Sequence, residues 1–542
     1  MSLRNATPVK FSPSGLSDAL DASNVSPGMC SQLANLIPDP TTRNLWQCRP
    51  AALQTTDFTG FTTPGFISVQ KVVGTKIFGM IASGRNGGHD EPFAYDLVTN
   101  LFSTVTGITA ANTPISPATS GDWVPPTMDI VGTKLVVTHP GFTGGGGGVF
   151  FGWFEITDPA NIVWNGGNTT TNGLPTPPTA VKQYGDRAWF IVNPPTGQPA
   201  VVYTDTLTLT VTSGTQILTF NDNVRLTALG ALPLSNQLGG IIQSLIVFKG
   251  ASIMFQIKGN PALTADPLTV NAMNVATGTL APNSIIGTPR GLAFMAPDGL
   301  RVINFQGVIS DPIGDAGSGI TTPFIYAVAP SRMAAACNAK VYRISVQNGA
   351  ATGSPNQEFW YDIPRGCWSG PHSFPASQIS VYNNTFIMAP IGVTGKLFTS
   401  DGAQTLTSTF VENGSQLTFT MTTVMLPDTQ QMSENALIES TLNMSYAAGG
   451  VYNAFCGDEN GALFGSIILT APGTPTIWGG FTWGAALWSG AANALAPRPF
   501  DWPVPIVFRR LYMGITGNCA AGVKIGDLFM RYQQLGYLQQ VS

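Results

Sequence analysis

Charged side chains are scarce in this sequence. Asp, Glu, Lys and Arg make up 10% of its 542 residues, against roughly 25% in ordinary soluble domains. Opposite charges four residues apart, which stabilise exposed helices, are almost absent, so the composition disfavours a helical protein. A weakly charged surface also resists self-association poorly, and we expect much of it to be covered by copies of the same chain. The alternative is an uncharged β surface rich in threonine.

Basic clusters are missing as well. The formal net charge is −4, and the longest run of basic residues is the pair Arg509 and Arg510. Tight binding of nucleic acid needs several basic contacts to phosphates. The sequence therefore disfavours sequence-specific DNA binding, while weak contact with DNA inside a pore stays open.

The sequence also lacks the local patterns of several common catalytic sites. The six cysteines contain no C-x-x-C, and we expect them to be thiols of a chain made in a reducing cytosol. The first residues contain no apolar run, so no signal peptide is expected. No G-x-S-x-G elbow occurs, and the run from Gly144 to Gly148 lacks the Lys-Ser/Thr of a phosphate loop.

Potential ligands and catalytic groups are isolated along the chain. His89, His139 and His372 stand apart in the sequence, and none has the spacing of a metal-ligand pair. Asp90 and Glu91 follow His89, and we expect this stretch to be a solvated loop. A glycosidase needs two carboxylates roughly 5–10 Å apart, and the linear sequence locates no such pair. We therefore predict no catalytic residue, no metal site, no cofactor and no enzyme.

What the sequence does contain is a recurring hairpin. A small turn residue is followed by a short apolar strand, as in VGTKIF from Val73 and VGTKLVV from Val131. Glycine and asparagine accept the positive φ of tight turns, and β-branched and aromatic residues suit strands. The spacing of 39 to 65 residues between turns suits propeller blades of roughly 40–50 residues with inserted loops. The turn residues are Gly74, Gly132, Gly185, Gly250, Gly299, Asn338 and Asn383.

The sequence thus predicts an all-β protein built on a β-propeller, with six or seven blades. The alternative is another all-β fold, since Gly-containing hairpins are common in all of them. Residues 1–62 are predicted to form an extended segment that packs on the propeller or on a neighbouring subunit. Residues 63–404 form the propeller, with an insert at about 207–240 that contains one further strand pair followed by an apolar loop. Residues 405–542 are predicted to form a C-terminal antiparallel β-sandwich.

One apolar stretch in the C-terminal region has two interpretations. Residues 461–497 contain no charged side chain, but Pro472, Pro475 and repeated glycines argue against a transmembrane helix. We expect a packed hairpin, with an exposed apolar tip that touches a membrane as the alternative. The stretch contains three tryptophans, Trp478, Trp483 and Trp488.

The order of several motifs resembles a known family. The stretch 244–253 is followed, after a loop, by 291–300 and then by 308–313, and this succession resembles the tail nozzle proteins of short-tailed bacteriophages. These are also called tail hub or packaged-DNA stabilisation proteins. Residues 359–368 are similar to the strand, turn and tryptophan at the end of a blade in that family, and residues 26–50 resemble its N-terminal segment. The C-terminal region departs most from the family pattern.

The resemblance implies a structural protein of the virion tail that is assembled in the cytoplasm of the bacterial host. In that family six copies form a ring on a β-propeller scaffold below the portal and adaptor, the head-to-tail connector proteins. The ring retains packaged double-stranded DNA and opens for its ejection. Tail fibres or spikes are expected partners, with contact to the host envelope at the tip. The candidate channel or tip loops contain Gly144, Gly148, Trp478, Trp483 and Trp488.

A second function class is a carbohydrate-binding or glycosidase-like β-propeller. A sialidase-like member of this class would carry an arginine triad and repeated S-x-D-x-G-x-x-W boxes. Arginines are scattered here and no such box repeats. A third class, an extracellular adhesin, is disfavoured because no signal peptide is expected.

Overall fold

The structure is a computed structural model of the chain, and it is almost entirely β. It describes residues 7–537 apart from 19–27, 59–60, 62–63, 83–87, 117–124, 143–147, 169–171, 221, 236–240, 262, 264, 274, 314–318, 347–355, 401–409, 427–432, 448–449, 459–460, 471–494 and 504. The N-terminal strands are β1 (Thr7–Phe11), β2 (Gly15–Leu16), β3 (Met29–Ala34), β4 (Leu36–Pro38), β5 (Trp46–Cys48) and β6 (Leu53–Asp57).

A β-propeller follows. The strands of its first three blades are β7 (Ile67–Val73), β8 (Lys76–Ala82), β9 (Asp90–Asp96), β10 (Leu101–Ser103), β11 (Val105–Thr106), β12 (Thr127–Val131), β13 (Lys134–Thr138), β14 (Phe151–Glu155), β15 (Ile162–Gly167), β16 (Ala180–Tyr184), β17 (Arg187–Val192), β18 (Ala200–Tyr203) and β19 (Ile217–Thr219). Each blade is a mainly antiparallel sheet, in the orders β10-β9-β8-β7, β11-β15-β14-β13-β12 and β16-β17-β18-β19.

The remaining propeller strands are β20 (Leu226–Ser235), β21 (Ile241–Lys249), β22 (Ile253–Lys258), β23 (Thr269–Ala272), β24 (Ile286–Thr288), β25 (Gly291–Ala296), β26 (Gly299–Ile303), β27 (Ala334–Cys337), β28 (Val341–Val346), β29 (Gln357–Asp362), β30 (Cys367–His372), β31 (Ala376–Tyr382), β32 (Thr385–Pro390) and β33 (Lys396–Ser400). They form three further blades, β20–β23, β27–β30 and β31–β33 with β6, and a smaller three-stranded sheet, β24–β26. A short helix, α1 (Thr322–Ile325), and 3₁₀ turns at Pro282–Ser284 and Pro330–Arg332 connect them.

Six blades and the small sheet therefore complete the circle, which confirms the predicted propeller. The last blade takes its outer strand from the N-terminal segment, because β6 pairs antiparallel with β33, Leu53 opposite Thr399. Apolar side chains fill the space between neighbouring blades. Between the first two blades, for example, Phe78 packs edge-on against Phe154 with ring centroids 5.2 Å apart.

The final strands are β34 (Val411–Glu412), β35 (Ser415–Gln416), β36 (Thr418–Thr423), β37 (Ser433–Ser445), β38 (Val451–Gly457), β39 (Leu463–Thr470), β40 (Ala496–Pro499), β41 (Val507–Phe508), β42 (Tyr512–Asn518) and β43 (Lys524–Tyr537). One sheet has the order β4-β5-β43-β37-β40, with β1 and β41 attached. The other continues from the blade β27–β30 through β3 into β36-β42-β38-β39. N-terminal strands take part in both sheets, so a C-terminal sandwich made of residues 405–542 alone is not confirmed.

Two details of the predicted insert differ in the structure. Only Ile217–Thr219 forms a strand of the expected pair, and it joins the edge of the third blade. The apolar segment expected to be a loop is strand β20, the innermost strand of the next blade. Its sequence LTALGALPLS has apolar residues at both odd and even positions and so gives no alternating pattern, which is why the sequence did not show a strand.

The hairpin glycine Gly74 provides a direct test of the turn geometry. Its φ is +60°, and a Cβ added there meets nothing within 4 Å. We expect Gly74→Ala to lower the free energy of unfolding by about 1 kcal/mol, through backbone strain alone. Gly287→Ala is the matched control, since Gly287 also faces open space but has no positive φ. Urea unfolding measures both, and equal effects of the two changes would contradict the argument.

Candidate functional site

A central cavity lies where the innermost strands of the propeller meet. Its volume is about 340 Å³, at the lower end of the range of roughly 300–1,000 Å³ that small-ligand sites occupy. Strands β7, β12, β16, β20, β24, β27 and β31 all contribute to its wall. The propeller architecture therefore gathers side chains that are far apart in the sequence around one space.

Charged side chains from three consecutive blades form a cluster at this wall. Lys71 of β7 and Lys182 of β16 line the cavity, and the buried carboxylate of Asp129 on β12 lies between them. Lys71 Nζ donates to Asp129 Oδ1, and Lys182 Nζ lies 3.3 Å from Asp129 Oδ2. The backbone N–H of Gln183 donates to the same Oδ2 at 2.8 Å. We call Lys71, Asp129 and Lys182 the inner charge cluster.

The surroundings of the cluster shift the pKa of Asp129 and that of Lys71. Burial opposes ionisation of Asp129, but the charges of Lys182 and Lys71 and the hydrogen bonds to the carboxylate outweigh burial and lower its pKa to about 2. Burial lowers the pKa of Lys71, Asp129 opposes that effect, and the neighbouring charge of Lys182 lowers the pKa further. Asp129 is thus a permanent carboxylate at neutral pH, and the two ammonium groups share it.

The sequence analysis missed this cluster, although a signal for it exists. Each member stands three residues before a hairpin glycine, Gly74, Gly132 or Gly185. Equivalent positions in successive blades lie at the same level of the central axis, so these three side chains meet. In a chain with so few charges, a charge at the same position of three consecutive hairpins indicates a shared site.

Side-chain amides supply further polar groups. Gln378 and Asn283 line the cavity, and Gln378 Nε2 donates to Ser68 O at 3.0 Å, which fixes its position. Gln70 lines it as well, but its amide is buried and its Nε2 donates to Ile387 O at 3.0 Å. A second cavity of about 170 Å³ shares Asn283 and Gln378 with the first and also contains Arg332. Among the described residues that line the two cavities, none is a carboxylate. The combined space is therefore rich in hydrogen-bond donors.

The structure places the sequence-predicted loop residues outside this cavity or outside the described residues. Gly148 is half-buried, three residues before strand β14, and it does not line either cavity. Gly144 and the three tryptophans Trp478, Trp483 and Trp488 lie outside the described residues. Their proposed place at a channel or tip stays a prediction.

The sequence predicted a solvated loop at His89, and this prediction is wrong for Asp90 and Glu91, the two acidic residues that follow it. Asp90 and Glu91 belong to strand β9 and are buried. Asp90 accepts hydrogen bonds from Ser68, from Ser116 and from His139 Nε2, the last at 2.9 Å. Because burial raises the pKa of a carboxyl group, these donors are needed to keep it ionised, and together they lower the pKa of Asp90. The cluster joins the first two blades.

No group of three or more His, Cys, Asp and Glu side chains suited to a metal ion is found within the part of the chain that the structure describes. The same residues contain no helix of the length and apolar character that a bilayer crossing requires.

Comparisons with known proteins give distant structural similarity alone. No protein-family model matches the chain, and no curated protein matches it either. A puromycin hydrolase structure has a TM-score of 0.35 at 11% identity, covering 76% of this chain and 62% of its own. A puromycin-hydrolyzing peptidase of Mycobacterium tuberculosis has a TM-score of 0.36 at 9% identity, covering 69% and 61%. This chain thus spans about three fifths of the length of these peptidases.

A third similar structure is the xylan beta-1,4-xylosidase of Bacillus halodurans, with a TM-score of 0.24 at 8% identity, covering 90% of this chain and 99% of its own. All three proteins are enzymes, and this finding corrects the expectation from the sequence that the chain is not an enzyme. At these identities and TM-scores the similarities assign no reaction to this chain. The family of this protein is not identified by the comparisons, and the resemblance to tail nozzle proteins stays a prediction.

Proposed function

We propose that this protein is a carbohydrate-binding β-propeller whose central cavity holds the sugar. The observation that carries the proposal is the convergence of amides, hydroxyls and ammonium groups from consecutive blades on one cavity of about 340 Å³. Sugar hydroxyls both donate and accept hydrogen bonds, and the side-chain amides of Asn283 and Gln378 do the same. A few polar groups fixed in a concave site are the usual basis of ligand specificity.

The proposal concerns binding because glycoside hydrolysis uses a pair of carboxylates, and the described lining of the cavity contains none. Binding to a glycan array, followed by calorimetry with the full chain, tests it. We expect Asn283→Ala to weaken binding about 2–10-fold, the effect of one hydrogen bond. Asn453→Ala, an exposed position on β38, is the control and should bind as the wild type does.

A folded wild-type protein that binds no glycan on the array would contradict the proposal. Incubation of the bound glycans with the protein, followed by measurement of new reducing ends, would extend the proposal to a glycosidase if ends appear.

A second proposed function is the tail nozzle, a hexameric ring that contacts portal and adaptor proteins and lets double-stranded DNA pass. Strand β39, whose sequence LFGSIILT has no charge, favours it. Within the described part of the chain β39 is the last strand of its sheet, and Leu463 and Ile468 are 64% and 73% exposed. Uncharged edge strands pair readily with another chain, and a second copy of this scarcely charged protein is the occupant we propose.

Light scattering after size exclusion tests the ring. The wild type is expected to elute as a hexamer, and Ile468→Lys should shift it toward monomers, because the charge blocks pairing at the edge. Val98→Lys, at another exposed apolar position (63% exposed), is the control and should remain assembled. A wild type that stays monomeric at high concentration would contradict the second function.

A further inference from the structure

We infer that a cavity outside the propeller binds an α-amino acid with an apolar side chain. This cavity, which we call the C-terminal cavity, lies where the two sheets beyond the propeller meet, and its volume is about 290 Å³. Its wall contains Glu434 of β37, Val507 of β41, Phe464 of β39, Asp458, Arg509 and Arg510. The site is separate from the central cavity and does not depend on the proposed sugar binding.

The guanidinium of Arg510 lacks a counter-charge within the described part of the chain. Its Nε and Nη2 atoms are buried there without a hydrogen-bond partner, whereas buried polar atoms of folded proteins nearly always have one. A carboxylate can accept two parallel hydrogen bonds from one guanidinium. Both atoms are covered by the protein, so binding includes a rotation of this half-buried side chain toward the ligand. Arg510 therefore indicates a ligand with a carboxylate.

The opposite charge is present at the same wall. Glu434 and Asp458 line the C-terminal cavity, and Asp458 Oδ1 accepts a hydrogen bond from the backbone N–H of Ala462 at 2.9 Å. Among the described residues, no hydrogen bond or ion pair of the Glu434 side chain is found, and none joins it to Arg509 or Arg510. Charges of both signs thus face one space without neutralising each other. A ligand that carries a carboxylate and an ammonium group can pair with both.

The rest of the wall is apolar. Phe464 is half-buried and Val507 is exposed, and both line the C-terminal cavity. Contact with a ligand would remove these side chains from water, which favours an apolar group at this position. The volume is slightly below the range of roughly 300–1,000 Å³ that drug-sized ligands occupy, so a molecule the size of one amino acid suits it. An apolar α-amino acid matches all three parts of the wall.

Calorimetry on the full-length protein tests this site with L-phenylalanine and two derivatives. L-phenylalaninamide lacks the carboxylate and N-acetyl-L-phenylalanine lacks the ammonium group, while both keep the side chain. We expect each derivative to bind at least about tenfold more weakly than L-phenylalanine, because each loses the charge-assisted hydrogen bonds of one group. L-leucine, run beside them, shows whether an aromatic or an aliphatic side chain is preferred.

Two variants assign the two charged groups of the ligand. Arg510→Gln should weaken binding of L-phenylalanine at least about tenfold and leave binding of the amide within about twofold of the wild type. Glu434→Gln should weaken L-phenylalanine in the same way and leave the N-acetyl derivative within about twofold. A merely structural role of either residue would weaken all three ligands alike. Arg531→Gln, at an exposed arginine on β43, is the control and should change nothing.

The wild type alone can overturn the inference, whatever the variants do. Equal binding of L-phenylalanine and its two derivatives would overturn it, and so would a folded protein that binds neither L-phenylalanine nor L-leucine. Sugar binding by Arg510→Gln is expected to equal that of the wild type, so failure here leaves the carbohydrate-binding function in place, and failure on the glycan array leaves this site in place. Circular dichroism and the Tm of each variant establish that the variants are folded.

Discussion

Replacing Glu412 by glutamine is expected to lower the free energy of unfolding by about 3–5 kcal/mol, because it leaves the buried guanidinium of Arg49 without its counter-charge. Both side chains are almost completely buried. Arg49 Nη2 donates to Glu412 Oε2 at 2.6 Å and Nη1 donates to Oε1 at 2.8 Å. The backbone N–H of Ala52 donates to the same carboxylate at 2.8 Å. Urea unfolding followed by circular dichroism measures the loss.

The control is an exposed ion pair in the same protein. Arg531 Nη1 lies 3.7 Å from Glu439 Oε2, with side chains 42% and 55% exposed, so Glu439→Gln should change stability by less than about 1 kcal/mol. The double variant Arg49→Met/Glu412→Leu removes both charges, and we expect it to be more stable than Glu412→Gln. A loss below about 1 kcal/mol for Glu412→Gln would show that the buried pair does not hold the N-terminal segment to the residues beyond the propeller.

The second large effect is a loss of stability in mild acid that depends on His372. Burial, with the charges of Arg49 and Arg343, holds its pKa well below the ordinary value of 6.5. Its Nδ1 accepts a hydrogen bond from the backbone N–H of Asn35 at 3.1 Å, which requires the neutral ring. The unfolded chain takes up a proton below about pH 6.5 that the folded chain does not. Stability should therefore fall by about 1.4 kcal/mol per pH unit as the pH decreases below about 6.5.

Unfolding curves measured between pH 7 and pH 5 test this dependence. His372→Gln removes the titrating ring, so its stability should change less steeply over that interval by about 1.4 kcal/mol per unit. His89→Gln, at a half-buried histidine outside this cluster, should keep the slope of the wild type. The prediction is wrong if His372→Gln and the wild type lose stability in parallel.

The propeller could be predicted because its signal is local. Hairpins such as those at Gly74 and Gly132 combine a turn that needs positive φ with alternating apolar strands, and both features are visible in a few consecutive residues. Strand β20 has apolar residues at both odd and even positions, so its sequence has no period of two to identify it. The pairing of β6 with β33 joins residues more than 300 positions apart, and no local pattern specifies such a partner.

The site was missed for a different reason. Lys71, Asp129 and Lys182 are unremarkable one at a time, since single charges in strands are commonly solvated. Their significance comes from the propeller, which places the three positions at the same level along its central axis. His139 and Asp90 illustrate the same limit, because they are 49 positions apart in sequence and lie in direct contact.

The pairing of β6 with β33 also determines when the propeller can close during synthesis on the ribosome. Asp57 is made early and its partner Lys396 emerges 339 residues later, which takes roughly 20–70 s at synthesis rates of about 5–20 residues per second. During that interval β6 has no partner strand. The first blade also lacks the last blade, β31–β33, as its neighbour on one side. The propeller can therefore close only after β33 has been made, while strands β34 to β43 are still to follow, and until then these two edges stay exposed.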